Sequence, residues 1–485
     1  MAVEKKIIKL AKPTIALDQM DHINTDDPNS PVQSTERKHK QMGSLFPLVQ
    51  INKYKFTENE LTRFRLDETG EYPTLSVTVV SSDGVFLSKS YPKDGDPISI
   101  FVRSKLDEFN PIRLDFEITN VQSGKSTDSD GEVAKYTFNG VLRVPGLYYD
   151  HCRAFKDKGS MDVLMDVATE LQLGFASNET MTDDKMTWIC PFDTYLKFIN
   201  DVTLASYKDE DSFFDFFIDK YYNLNFVNVN NQFGEEFELD EALDNFQAQR
   251  DYNAGHVLEK FDTKLLLSNH KNLRGQGNWI SNYTLVSNAG EVIITNGYRR
   301  YVQFYDAHGS ASNPADKYQS HFIEPSNTKN VGDDKILQRG RMKEPEIYKN
   351  TNKYKWLGIH ESLPDGNAHK NYMHAIIQNW QNRQEIDKYE LRVWLPRCNF
   401  NLYRGMRVPV LILNTGSQSR LQVTKQPEQA EEERLTFDRF LSGYYYIKGM
   451  TVSWNADDTV FRQELILTRR EWPIPPQTSE NIAQG

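Results

Sequence analysis

Few residues in this chain stand at spacings that could do chemistry. Gly124-Lys125-Ser126 matches the end of a phosphate-binding loop. That loop needs a second glycine five positions earlier, so that backbone N–H groups can wrap the phosphate, and Thr119 stands there. Ser126, Asp128, Asp130 and Gly131 imitate the start of a calcium loop, but its twelfth position, where a bidentate Glu closes the cage, is Thr137. A hairpin loop accounts for those residues more simply. His360-Glu361 opens a zinc-protease pattern, and Pro364 occupies the place of its second histidine. His369 and His374 follow without a third ligand at useful spacing. Asp94 and Asp96 flank a glycine in Lys93-Asp-Gly-Asp96, which makes them turn residues before it makes them an acid pair. Gly-x-Ser-x-Gly does not occur. A glycosidase carboxylate pair is set by folding and not by spacing, so the many acids neither create nor exclude one. Trp188, Trp356, Trp380 and Trp394 have faces that can stack on sugars, yet scattered tryptophans ordinarily serve cores or interfaces. No catalytic, cofactor-binding or metal site is expected, and no enzyme.

The totals narrow the class. A chain of 485 residues predicts about three domains of roughly 150 residues each. Aromatics make up 12% of it, with 24 Tyr and 27 Phe, a mixture that suits strands and broad contact surfaces better than a helix bundle. The formal charge of −11 leaves no basic stripe to displace counterions from phosphates, which excludes a general nucleic-acid binder. Cys152, Cys190 and Cys398 are far apart and form no C-x-x-C, so reduced, buried thiols in a cytoplasmic product are expected. No apolar run reaches the ~18 residues of a membrane span, and the stretch Met1 to Pro13 is too short in apolar residues for a signal peptide.

The elements that position these residues are mainly β with α insertions, an α+β chain. Residues 1–44 are polar and proline-punctuated, an extended or disordered arm that orders only where a neighbour holds it. Residues 45–150 carry strand candidates at Phe46 to Ile51, Leu75 to Val80, Ile98 to Val102, Ile112 to Ile118 and Tyr136 to Leu142. Several alternate apolar and polar residues, and turn chemistry separates them at Asp83-Gly84, Lys93 to Asp96 and Gly124 to Gly131, as in a barrel or sandwich. Residues 151–212 form a helical connector. In its first helix Met161, Leu164, Met165, Ala168 and Leu171 share a face, with Ser160 as N-cap and Gly174 as C-cap. A second helix after Pro191 aligns Tyr195, Phe198, Ile199 and Val202. Residues 213–387 hold a hairpin at 213–229, a mixed middle region with a loop-rich insertion at 306–353, and a helix over Tyr372 to Gln384. Residues 388–472 form a second β block with a charged loop at Gln426 to Arg434, and 473–485 a tail. Two β blocks of similar size thus bracket the helices, which leaves a distant internal duplication open.

An ordered set of segments carries a family likeness from about Leu45 to Trp472: Leu45 to Tyr54, Phe64 to Glu68, Tyr72 to Val79, Tyr91 to Pro97, Phe138 to Gly146, Leu171 to Phe175, Thr182 to Trp188, Phe213 to Asp219, Asn296 to Arg300, Gly443 to Gly449 and Leu465 to Arg469. The chain resembles the central baseplate hub of contractile-tailed bacteriophages, and more distantly late control protein D and the N-terminal half of type VI secretion spike proteins. The resemblance implies a structural virion protein of the tail baseplate, made in the host cytoplasm. It implies a homotrimer with two related tube-like β-barrel domains per chain, so that three chains present six similar modules. One face would meet tail-tube subunits and the other the central spike, with inner baseplate or wedge proteins around the ring. DNA would pass through the channel without specific binding, past a wall of like charge. Two alternatives stay open: a tail-associated peptidoglycan hydrolase and a carbohydrate-binding receptor module.

Overall fold

The computed structural model describes residues 6–15, 46–52, 54–81, 86, 91–93, 95–102, 110–128, 131–232, 266–268, 279–288, 299–306, 318–323, 337–338, 352–359, 368–386, 389–412, 438, 441–458, 460–469 and 472–473. Strands dominate them. After a short N-terminal strand, β1 (Ile8–Ala11), the first lobe is built from β2 (Leu48–Ile51), β3 (Tyr54–Lys55), β4 (Leu61–Asp67), β5 (Thr74–Ser81), β6 (Pro97–Val102), β7 (Ile112–Asp128) and β8 (Gly131–Leu142). Alternation decides which side of each strand is buried: Leu75, Val77 and Val79 of β5, and Ile112, Leu114 and Phe116 of β7, all point into one core. Each such side chain contributes about 1.5–3 kcal/mol on leaving water.

The connector follows as β9 (Asp150–Lys158), α1 (Ser160–Glu170), β10 (Gly174–Ser177), β11 (Met186–Thr194), α2 (Tyr195–Ala205), β12 (Phe214–Ile218) and β13 (Asn223–Asn228). The hairpin expected at 213–229 is β12–β13, closed by Asp219, whose carboxylate accepts from the backbone N–H groups of Tyr221 and Asn223. It belongs to a four-stranded sheet, in the order β1-β10-β13-β12, and not to the second β block. Residues 8–11 of the expected arm are thereby held by the same chain, antiparallel to β10. The two connector helices form where their periodicity places them, but the caps of α1 differ from expectation. Ser160 is the first helical residue; Asp184 caps the end from a distance, accepting from the Ser160 backbone N–H (2.8 Å) and the Ser160 hydroxyl (2.5 Å). At the other end Gln172 adopts a left-handed φ of 59°. Gly174 instead begins β10, where a Cβ would lie 2.3 Å from Asn223 Oδ1.

The remaining elements are β14 (Leu266–Ser268), β15 (Trp279–Ile280), β16 (Asn282–Ser287), β17 (Arg299–Asp306), β18 (Tyr318–Ile323), β19 (Leu337–Gln338), β20 (Asn352–Ile359), α3 (Tyr372–Ile386), β21 (Tyr389–Leu395), β22 (Arg407–Leu411), β23 (Gly443–Asn455), β24 (Phe461–Thr468) and β25 (Trp472–Pro473). β17, β18 and β20 make a separate sheet. The second block, β21 to β24, recruits β14, β15 and β16 from the segment expected to be a middle region. Together with the first lobe these strands form one fourteen-stranded sheet. Leu391, Val393, Val408, Tyr445, Ile447, Leu465 and Leu467 centre the second core.

The turn expected over Gly124 to Gly131 is narrower than its composition suggests: β7 runs through to Asp128 and pairs antiparallel with β8 down to Asp128↔Gly131, so the chain reverses between those two residues. The charged loop at 426–434 lies outside the described residues. No helix among the described residues is long and apolar enough to cross a membrane.

Candidate assembly interface

The two lobes share one strand plan. Number the six main strands of each in chain order: β2, β4, β5, β6, β7 and β8, then β14, β16, β21, β22, β23 and β24. Both then lie side by side in the order 2-3-6-5-4-1. The likeness extends to detail. Strand five carries a bulge at one place in each, between Ile118 and Asn120 in β7 and between Ile447 and Gly449 in β23. A turn with a left-handed glycine precedes strand four in each, Gly95 (φ 81°) and Gly405 (φ 87°). In both turns the N–H after the glycine bonds back three residues, Asp96 to Lys93 (3.0 Å) and Met406 to Tyr403 (3.2 Å). One pairing differs: strand one is antiparallel to strand four in the first lobe and parallel to it in the second.

The lobes meet through β23. One of its edges pairs with β24 along most of its length. Its other edge is divided: residues 443–446 pair with β22, and beyond the bulge residues 451–455 pair antiparallel with β4, Val452 opposite Leu66 and Trp454 opposite Phe64. Gly449 marks the division, since a Cβ there would lie 3.0 Å from the Cα of Thr69. The far ends of β23 and β24 deliver Val452, Trp454 and Phe461 into the first lobe's core. Trp454 meets Phe46 edge-on at 5.3 Å, and Phe461 meets Phe64 at 6.1 Å.

A buried polar joint backs this seam. Lys220, from the β12–β13 turn, donates to the Leu402 carbonyl (3.1 Å) and lies 4.0 Å from Glu68. Burial pushes the Glu68 carboxyl above its ordinary range, against the opposing pull of Lys220. Arg404 donates to the Gly70 carbonyl, stacks over Phe217 at 4.6 Å and lies 3.7 Å from Asp215. The joint therefore ties both lobes and the connector hairpin, and without Lys220 the buried Glu68 carboxyl would lose the main pull that opposes its burial.

The same plan leaves two edges without a strand among the described residues. β16, the counterpart of β4, pairs only with β21. β7, the counterpart of β23, pairs with β6 over 112–117 and with β8 over 116–128, and Ile118 N–H still reaches the Asp96 carbonyl (3.4 Å); past the bulge its β6-side edge pairs with no strand among the described residues. Leu66 on β4 is 1% exposed, and Leu285, which matches it through the pairings with Leu75 and Leu391, is 36% exposed.

The residues singled out for chemistry do not converge. Gly124 is exposed on β7, and Lys125, Ser126 and Asp128 follow it in that strand. Asp96 accepts from Lys93 N (2.7 Å) and Asn52 Nδ2 (3.1 Å), contacts that hold its carboxyl below its ordinary range; Asp94 lies outside the described residues. His360, Glu361 and Asp130 also lie outside them. His369 Nε2 bonds to the Ala205 carbonyl at 3.0 Å, and His374 sits edge-on to Tyr207. Trp188 donates to the Lys158 carbonyl from within β11, and Trp380 packs on the first core. Trp394 lies on β21 and Trp356 on β20. Cys190 is buried as expected, whereas Cys152 is exposed on the polar strand β9. Among the described residues no three His, Cys, Asp or Glu side chains could hold a metal. β4 itself escaped the sequence, although Leu61, Phe64 and Leu66 were the available signal; the bulge after Leu61 breaks their alternation.

No family model matches the sequence, and no curated protein does either. Solved structures do. One is a tail protein from Neisseria meningitidis MC58, at 9% identity and a TM-score of 0.46 over 88% of this chain and 97% of that one. Another is the 43 kDa tail protein of prophage MuSo2 from Shewanella oneidensis, at 8% identity and 0.45 over 89% and 99%. A third is an Escherichia coli component of the type VI secretion system, at 10% identity and 0.40 over 88% and 77%.

Proposed function

We propose that this chain is the central hub of a contractile-tail baseplate, a structural virion protein without catalytic turnover. The observation that carries it is the strand order 2-3-6-5-4-1 built twice in one polypeptide and fused at β4–β23. Three such chains present six similar modules, so a closed homotrimer matches a hexameric tube on one face and a trimeric spike on the other. The ordered sequence segments from Leu45 to Trp472 support the same assignment. In this reading the barrels are residues 45–150 and 388–472, the latter completed by β14 to β16, and 151–212 sets their relative position. Inner baseplate or wedge proteins surround the ring, and the charge of −11 keeps DNA from adhering to the channel wall. Light scattering on the purified protein tests it: a trimer that recruits tube or spike subunits is expected. A persistent monomer, or clearing of peptidoglycan by the pure chain, would overturn the proposal.

A further inference from the structure

Within one chain, β4 of the first lobe completes strand five of the second. The duplicated plan has a second acceptor of the same kind, the edge of β7 beyond its bulge, and a second donor, β16, and among the described residues neither edge is paired. We infer that β16 of one copy adds antiparallel to the open edge of β7 of a neighbouring copy, in the register that β4 uses on β23. The inference rests on the hub reading and names the surface by which its subunits close the ring.

The register follows from the pairings already described. Matching the two bulges sets Gly449 on Asn120, and hence Thr451, Val452 and Ser453 on Gln122, Ser123 and Gly124. Matching strands two and three sets Asp67, Leu66 and Arg65 on Val286, Leu285 and Thr284. Since β23 pairs Thr451↔Asp67, Val452↔Leu66 and Ser453↔Arg65, the joint between copies is Gln122↔Val286, Ser123↔Leu285 and Gly124↔Thr284.

Three observations support an absent strand on these edges. Asn282-Tyr-Thr-Leu-Val-Ser287 carries no charge and no proline, the devices that ordinarily protect a solvent-facing edge strand from pairing. Leu285 is the exposed counterpart of a leucine that is buried wherever the partner strand is present. On the acceptor side Gln122, Ser123 and Gly124 are exposed, and Gly124 has no heavy atom within 4 Å of where a Cβ would stand. Donor and acceptor are different surfaces, so the contact is head-to-tail and a rotation that closes gives a ring.

Cysteine pairs in the intact chain, on a Cys152→Ser background, test this: Leu285→Cys with Ser123→Cys, and Thr284→Cys with Gly124→Cys. Opposed positions in an antiparallel pair alternate between closer and wider spacing, so one of the two neighbouring pairs has the geometry for a disulfide. Under mild oxidation that pair should convert monomer into covalent dimer and then closed trimer on a non-reducing gel. Each protein with only one of the added cysteines, and the offset pair Leu285→Cys with Val121→Cys, should stay monomeric on the same gel. If light scattering shows a trimer and neither opposed pair cross-links, the edge assignment is wrong and the hub reading survives. If the chain is monomeric in solution, both fall.

Discussion

The two lobes of this molecule have one strand plan and two fates. In the first, strand two is sealed: β4 lies between β5 and β23, and its Leu66 is buried. In the second, strand two has one neighbour, and the matching Leu285 stands at the surface. Strand five reverses the comparison, for β23 is covered past its bulge by β4 while β7 has no strand there among the described residues. The difference teaches that topology alone does not decide burial. A strand's outer edge is core or surface according to whether another strand arrives, and among the described residues one arrives at one of two equivalent places.

The largest expected contrast is between the two leucines. Leu66→Ala should lower unfolding stability by about 2–5 kcal/mol, the usual result of emptying a buried site, whereas Leu285→Ala should change the isolated chain by no more than about 0.5 kcal/mol. Urea denaturation of the monomer at low concentration measures both, and equal losses would break the comparison. Next come the bulges. Gly449→Val drives a side chain into Thr69, 3.0–3.1 Å from the position of the new Cβ, and should cost about 1–3 kcal/mol. Asn120→Val, at the equivalent but exposed place, should stay within about 0.5 kcal/mol. The urea midpoint of each variant decides.

The paired turns sharpen the comparison further. Gly95→Ala and Gly405→Ala both place a side chain at a left-handed φ, worth roughly 1–2 kcal/mol. Only Gly405 also faces a close neighbour, Phe217 Cζ at 2.8 Å, so its melting temperature should fall further than that of Gly95→Ala. The smallest effect concerns the connector that both lobes share. Burial holds the His369 imidazole below its ordinary pKa, although the Ala205 carbonyl and the nearby Asp183 and Asp184 favour the proton. Its folded value therefore lies under the unfolded one, so its contribution is fully present above about pH 6.5. It is lost as the pH falls through the folded value, where the unfolded state alone has taken up the proton. His369→Gln should flatten that part of the stability-against-pH curve; an unchanged slope would show that another group carries it.

Where one periodicity was sustained, the sequence sufficed. Leu75/Val77/Val79 and Ile112/Leu114/Phe116 name their buried faces, and Tyr195, Phe198, Ile199 and Val202 are the buried face of α2 as their spacing requires. It failed where partners came from elsewhere in the chain. β9 has a largely exposed, polar sequence and is a strand only because β11 pairs with it. Ser160 would serve as a cap by its type, but Asp184 reaches that helix end first. The stretch from Gln122 to Asp128 has turn composition and yet remains extended, since β8 continues opposite it. The seam was not foreseeable, because nothing in the sequence names the partners of Gly449 or Lys220.

By itself, then, the order of amino acids determined the β-rich class, the two helices of the connector and the hydrophobic side of the regular strands, all consequences of interactions between near neighbours. Only the folded chain decided that the two blocks repeat one plan, that β23 divides its edge between β22 and β4, and that β7 and β16 each keep an edge unpaired among the described residues. Those features depend on hydrogen bonds between residues hundreds of positions apart, and a backbone edge leaves no mark in the side chains that precede and follow it.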